Sequence, residues 1–286
     1  MLGLIGARVR NRVLGYLATL VIAYALILLA AGLFEKRLIF FPNYPGRLSG
    51  DWAPRGLPIK DAWLHTSDGL KLHAWWIANP AAQFTFLAFH GNAGNIAGRA
   101  EVYRFLWQIP ANVLALEYRG YGQSEGSPSE QGLYLDAEAA YDYLVHEAGV
   151  RPERVIAFGQ SLGTAAAVNL AAERTVSGIV LEAPFPSARA VARRVYPFLP
   201  GLGLVVRSKF DTAQKLRSIR VPILIVHCKQ DPVIAYALGE AVYQQAQPPK
   251  FFLSISGSCH EEASLIAPER YREELAGFLN GLKPGL

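Results

Sequence analysis

The sequence predicts an α/β fold: a mostly parallel sheet covered by helices on both faces, with a short lid insertion and an apolar helix placed ahead of it. Three observations lead there. Short β-type runs alternate with helical stretches through most of the chain. Those runs are almost continuously apolar, as strands buried on both faces must be. Residues 155–163 read Val-Ile-Ala-Phe-Gly-Gln-Ser-Leu-Gly, a strand running into a G-x-S-x-G turn and then an alanine-rich helical stretch.

The first element lies outside that body. Val13 to Leu33 is an uncharged run of 21 residues, which as a helix spans roughly 30 Å, the hydrocarbon thickness of a bilayer. Arg8, Arg10 and Arg12 precede it. The run is longer than a signal peptide's apolar stretch and ends in no A-x-A site, so it reads as an uncleaved signal anchor. The expected organisation is a basic flank at 1–12, a transmembrane segment at 13–34, and a catalytic body at 35–286. Positive charge is nearly balanced across the helix by Lys36, Arg37 and Arg47. Long domains translocate largely regardless of charge, so the body is expected on the outer, periplasmic or extracytoplasmic side.

In the body, Leu64 to Leu72 reads as a β-hairpin turning at Asp68-Gly69. Strands follow at 84–89, 113–118, 154–158, 178–181, 223–227 and 251–255. Helices are predicted at 96–107, 130–147, 161–172, 211–218, 234–245 and 268–279. No G-x-G-x-x-G follows the first strand, which removes the main support for a dinucleotide-binding fold. The net charge of +5 is concentrated. Residues 1–12 hold three arginines, and 185–220 hold eight basic groups against Asp211 alone. Basicity confined to an anchor flank and one segment is not a nucleic-acid surface.

The G-x-S-x-G turn makes Ser161 the candidate nucleophile. A sharp strand-to-helix turn lifts its hydroxyl off the sheet end, and Gly159 and Gly163 leave room for strand and helix to pack. Its order with three other motifs carries a family likeness: His90-Gly91-Asn92-Ala93-Gly94-Asn95, Tyr118-Arg119-Gly120-Tyr121-Gly122-Gln123-Ser124, and Leu181-Glu182-Ala183-Pro184-Phe185. With the anchor and Arg37-Leu38-Ile39-Phe40-Phe41-Pro42, the chain resembles the membrane-anchored α/β-hydrolase-fold serine hydrolases of the HGNxG type. Protein-depalmitoylating hydrolases belong to that group.

The resemblance implies a chain order of Ser, then Asp or Glu, then His. His227 and His260 are the histidines that follow Ser161. His227 sits inside an apolar strand, whereas His260 lies in the loop after the last strand, where the base belongs. Asp231 is the acid expected, at the end of the penultimate strand and followed by Pro232. Glu182 is a rival acid, and Asp211 reads as a helix N-cap. The N–H groups of Leu162 and Asn92 are the expected oxyanion hole, with His90 and Gly91 shaping the second loop. Similar hydrolases carry glycine where this chain has Cys228 and Cys259. If Asp231 bonds His260 these cysteines are neighbours, so they form either a disulfide or two buried thiols.

The expected function is cleavage of an ester or thioester, with an amide as a further option, through an acyl-enzyme. The substrate is a small or lipid-like acyl compound. The membrane is the expected partner, through the anchor and the basic lid at about 185–210. No cofactor or metal is implied, because the histidines and cysteines lack zinc-ligand spacing. A peptidase on the same fold and a silent anchored scaffold are the competing readings.

Overall fold

The computed structural model describes residues 2–282, and side chains from residue 10 onward. Met1, the Arg8 side chain of the basic flank and residues 283–286 of the body lie outside the described residues. The first helix, α1 (Leu2–Leu33), runs on through the expected basic flank without a break. Within Arg10–Leu33 an 18-residue stretch has a mean hydropathy of 2.4 and no fully buried residue, so the helix is long and apolar enough to cross a membrane. A short α2 (Glu35–Ile39) follows.

The body is an eight-stranded sheet ordered β1-β2-β4-β3-β5-β6-β7-β8. β1 (Ile59–His65) and β2 (Lys71–Ile77) pair antiparallel, and β2 joins β4 (Ala111–Leu116) antiparallel. From β4 through β3 (Phe84–Phe89), β5 (Val155–Gln160), β6 (Gly178–Glu182), β7 (Ile223–Cys228) and β8 (Lys250–Ile255), every pairing is parallel. Burial follows this topology. The central strands β3, β5, β6 and β7 are buried at every residue, while the outer strands β1 and β8 alternate toward solvent.

Alternate residues of each central strand feed opposite layers. Leu87 and Phe89 pack in one layer with α4 (Glu130–Asp142) and α5 (Gly163–Glu173). Phe86 and Ala88 pack in the other with α3 (Ala100–Gln108) and α11 (Pro268–Gly281). The remaining helices are α6 (Ala188–Val195) and α7 (Leu202–Val205) in the lid, then α8 (Thr212–Leu216), α9 (Tyr236–Gln245) and α10 (Ala263–Ile266).

Three local expectations are corrected. The β1–β2 connection is a longer loop, not a two-residue Asp-Gly turn. Gly69 is left-handed at φ +87°, and the Thr66 hydroxyl closes the loop by accepting from Leu70 N–H at 2.9 Å. The predicted helix over 96–107 begins as a 3₁₀ turn, Ile96–Arg99, because Asn95 bonds the Ala97 N–H and starts a tighter turn. Asp211 occupies an N-cap position, but its side chain makes no capping hydrogen bond.

Candidate active site

Ser161 sits between the last residue of β5 and the first turn of α5 with φ +50°, the left-handed region that a β-carbon strains. Neighbouring bonds hold it there. Its N–H donates to the Glu182 carbonyl on β6 at 2.9 Å, and the Thr164 N–H and hydroxyl donate to its carbonyl at 3.0 and 2.6 Å. A β-carbon at Gly159 would lie 2.5 Å from the Gly163 carbonyl oxygen, and one at Gly163 would collide with the Phe89 carbonyl of β3. Close approach of strand and helix is therefore what these two glycines permit.

Asp231 and His260 come from the loops after β7 and β8. His260 Nδ1–H donates to Asp231 Oδ2 at 2.8 Å, and Asp231 Oδ1 accepts from the N–H groups of Val233 and Ile234, each at 2.8 Å. His227 approaches the same carboxylate from inside β7. Its Nε2 is 3.3 Å from Asp231 Oδ2 and 2.9 Å from the Ile234 carbonyl oxygen. Burial alone would raise the Asp231 pKa, but hydrogen bonds from His227 and His260 hold it well below the usual carboxylate range. The reverse applies to His260. Burial opposes the imidazolium, yet the bond to Asp231 and the charges of Glu261, Asp231 and Glu262 outweigh it and raise the pKa.

The two loops are fastened to each other. Cys228 and Cys259 form a disulfide with Cα atoms 5.6 Å apart. Lys229 and Gln230 N–H groups donate to the carbonyls of Ile255 and Gly257, and Gly257 N–H returns a bond to Gln230 Oε1 at 2.8 Å. Among the described residues no hydrogen bond joins Ser161 Oγ to His260, whose Nε2 lies 3.8 Å from Glu261 Oε1. Such contacts often tighten only once substrate is bound.

The loop after β3 is braced from three sides. His90 Nε2 is 3.1 Å from Glu117 Oε1, and Glu117 Oε2 accepts from Ile96 N–H at 3.1 Å. Hydroxyls of Tyr118 and Tyr121 donate to the carbonyls of His90 and Asn92, both at 2.9 Å. Phe41 N–H also donates to the Asn92 carbonyl, while the Asn92 side-chain amide donates to the Ile39 carbonyl. The Asn92 and Leu162 N–H groups make no hydrogen bond among the described residues.

Four residues beyond the sequence reading shape this region: Glu117, Glu261, Arg99 and Gln160. Glu261 pairs with Arg99 at 2.8 Å and packs against Gly91, where a β-carbon would strike its carboxylate. Gln160 Nε2 donates to the Glu261 carbonyl at 3.1 Å and to Glu182 Oε2 at 2.6 Å. Glu182, the rival acid, is fully buried in this network and bonds neither His227 nor His260 among the described residues; burial pushes its pKa up to about 7. A polar residue ending an apolar run, as in Leu116-Glu117 and Gly159-Gln160, is the signal that could have found two of the four.

A serine on a strained strand-to-helix turn, with a hydrogen-bonded aspartate and histidine after adjacent parallel strands of the same sheet, is the arrangement of a serine hydrolase. Comparison with known proteins agrees. The family profile described as serine aminopeptidase, S33, matches residues 80–209. The alpha/beta hydrolase domain-containing protein WAV2 of Arabidopsis thaliana is 34% identical over 275 residues, 88% of this chain and 89% of that protein. The alpha/beta hydrolase domain-containing protein 17B of Homo sapiens is 34% identical over 221 residues, 75% and 73% of the two. The Pyrococcus furiosus esterase Pf2001 shares the fold at a TM-score of 0.71 and 20% identity, over 86% of this chain and 99% of that one. This chain belongs to the α/β-hydrolase family.

Proposed function

We propose that the protein is a membrane-anchored serine hydrolase that cleaves a carboxylic ester or thioester through an acyl-enzyme. Ser161 Oγ attacks the acyl carbon while His260 Nε2 takes its proton. The tetrahedral oxyanion accepts from the Leu162 and Asn92 N–H groups. His260 then returns the proton to the leaving oxygen or sulfur, and the acyl group stays on Ser161. Water attacks that ester next, with His260 again taking and returning the proton. Asp231 fixes the imidazole so that Nδ1 carries hydrogen and Nε2 faces the reaction.

The observation that carries this reading is the pairing of a left-handed Ser161 with the Asp231–His260 hydrogen bond at the same end of the sheet. The apolar α1 supports a single membrane span. The Cys228–Cys259 pair suits an oxidising compartment, and hence a body on the outer side. A substrate that is small or lipid-like fits an enzyme held at a membrane. The match to a serine aminopeptidase profile favours one second reading, cleavage of a peptide amide by the same residues.

Fluorophosphonate labelling of the full chain tests the proposal. Labelling that disappears in Ser161→Ala supports it, and a folded wild-type protein that stays unlabelled overturns it. Release of p-nitrophenol from acyl esters against p-nitroaniline from aminoacyl anilides then separates the two substrate readings.

A further inference from the structure

Twelve consecutive uncharged residues, Val195 to Val206, lie in the lid between Arg194 and Arg207. Phe198 and Leu204 are each 71% exposed, and Val195 and Tyr196 are 44% exposed. An apolar surface of this kind on a hydrolase body needs something to cover it. Its neighbour supplies the answer. The lid packs along α1 at Tyr24, Leu28 and Gly32, a stripe with a spacing of four residues. Those three positions are half-buried, while most of the rest of that stretch is exposed. They run about 12 Å along the helix axis, at 1.5 Å per residue, back from its end at Leu33. One leaflet of hydrocarbon is about 15 Å deep.

The tip also satisfies part of its backbone internally, as a segment in hydrocarbon favours. Pro197 and Pro200 have no N–H to satisfy. Leu199, Leu202, Leu204 and Val206 donate to Tyr196, Leu199, Gly201 and Leu202. The Tyr24 hydroxyl, a polar group set within the apolar run of α1, donates to the Pro200 carbonyl. Charge changes abruptly along the sequence at both ends of the tip, while the Arg189 stem packs against Gly203 and its head can reach upward to the interface. Arg189, Arg193, Arg194 and Arg207 are exposed, and Glu35, just past the end of α1, accepts from the Arg207 and Ser208 N–H groups at 2.8 and 2.6 Å. Arginines at the phosphate level with uncharged residues below them match the polarity of a leaflet.

We propose that the lid tip, Val195–Val206, is embedded in the hydrocarbon of one leaflet beside the last turns of α1, with the arginine collar at the lipid phosphates. The proposal rests on reading α1 as a membrane span. The lid leaves the sheet immediately after Glu182, whose carbonyl accepts from Ser161 N–H. Its root therefore adjoins the nucleophile while its tip sits among acyl chains, and the site opens toward the leaflet. Acyl substrates held in the bilayer are favoured over short esters in water.

Spin labelling of the full chain in phosphatidylcholine–phosphatidylglycerol vesicles measures the depth directly. Both cysteines of the sequence are paired, so Phe198→Cys and, as a solvent control, Glu269→Cys each supply a single reactive thiol. The expected result is a Phe198 label that collides with oxygen but on the order of tenfold less with a nickel chelate than the Glu269 label does. Equal nickel access at both positions overturns the proposal. A second measurement uses Phe198→Asp, comparing a long-chain acyl ester in the same vesicles with p-nitrophenyl acetate in water. The ratio of vesicle to water turnover should fall on the order of tenfold, because a charge at hydrocarbon depth is costly; an unchanged ratio overturns the proposal. Fluorophosphonate labelling of the wild type reports separately on Ser161, so a failure there removes the hydrolase reading and leaves the depth measurement valid.

Discussion

The loops bearing Asp231 and His260 and the lid between β6 and α8 leave the same end of the sheet, yet they are held in opposite ways. The first pair is joined by a disulfide, by main-chain bonds and by the Gln230 side chain. The lid is gripped at its ends, by Glu35 on Arg207 and Ser208 and by the Ala188–Lys209 main-chain bond, and its uncharged tip is tied to α1 by the bond from Tyr24 to the Pro200 carbonyl. Fixed acid–base geometry needs rigidity, because a shift of about 1 Å costs roughly a hundredfold in rate. A substrate door needs an element of low local stability, and we propose that the lid is that element.

The sharpest break of the rigid region is Asp231→Asn. Turnover should fall about 10³–10⁴-fold as the imidazole loses its tautomer control, with the fold retained by circular dichroism. Near-wild-type turnover would assign the acid elsewhere. Replacing Cys228 and Cys259 together by Ser should cost about 3–4 kcal/mol by the chain-entropy argument, lowering Tm by roughly 6–16 °C; an unchanged Tm would mean that the main-chain bonds suffice.

Glu182 lies between the two regions, and its effect has a defined sign. Its folded pKa is raised from 4.5 to about 7 by burial. The native state therefore keeps a proton that the unfolded chain releases, and stability falls as pH rises from about 4.5 to about 7. Glu182→Gln should be more stable than wild type at pH 8, by about 3 kcal/mol at most, and should lose this part of the pH dependence of denaturant unfolding.

On the lid, Glu35→Gln should weaken the clasp by about 1–2 kcal/mol and speed tryptic cleavage at Arg193, Arg194 or Arg207 on the order of tenfold. Fluorophosphonate labelling should not change, and a slowed labelling rate would show that the clasp also sets the site. The smallest effect is expected from Glu261→Gln. On the proposed mechanism His260 must be neutral to act as base, so turnover should rise with pH through its raised pKa. Removing the Glu261 charge should move that limb to lower pH by less than about one unit, read from kcat/KM against pH.

Much of this fold was readable because its signals are local. Apolar runs gave β3 through β8 to within a few residues, and the Gly159-to-Gly163 turn placed Ser161 without any distant partner. The β1–β2 loop was misread because it closes across Thr66, whose carbonyl accepts from Gly69 N–H and whose hydroxyl accepts from Leu70 N–H, one residue wider than a two-residue Asp-Gly turn. The pairings that join Glu117, Glu261, Arg99 and Gln160 into a network were not legible. Arg99 meets Glu261 across 162 residues and Gln160 meets Glu261 across 101, and no periodicity reports such a pairing. Glu35 is the extreme case, meeting Arg207 across 172 residues from what reads as an ordinary juxtamembrane charge.

The brace on Asn92 bears on how a water-soluble catalytic fragment should be cut. Cleaving directly after Leu33 removes the apolar helix and keeps α2, whose Ile39 carbonyl accepts from the Asn92 side chain. It also keeps the Phe41 N–H bond to the Asn92 carbonyl, and Phe40, which is buried against Phe210. A fragment starting at Pro42 loses all three contacts and leaves the loop carrying the Asn92 N–H held only by the tyrosine hydroxyls and by Glu117 on His90 and Ile96. The seven residues from Glu35 to Phe41 therefore belong to the enzyme body, although in the sequence they look like the tail of its anchor.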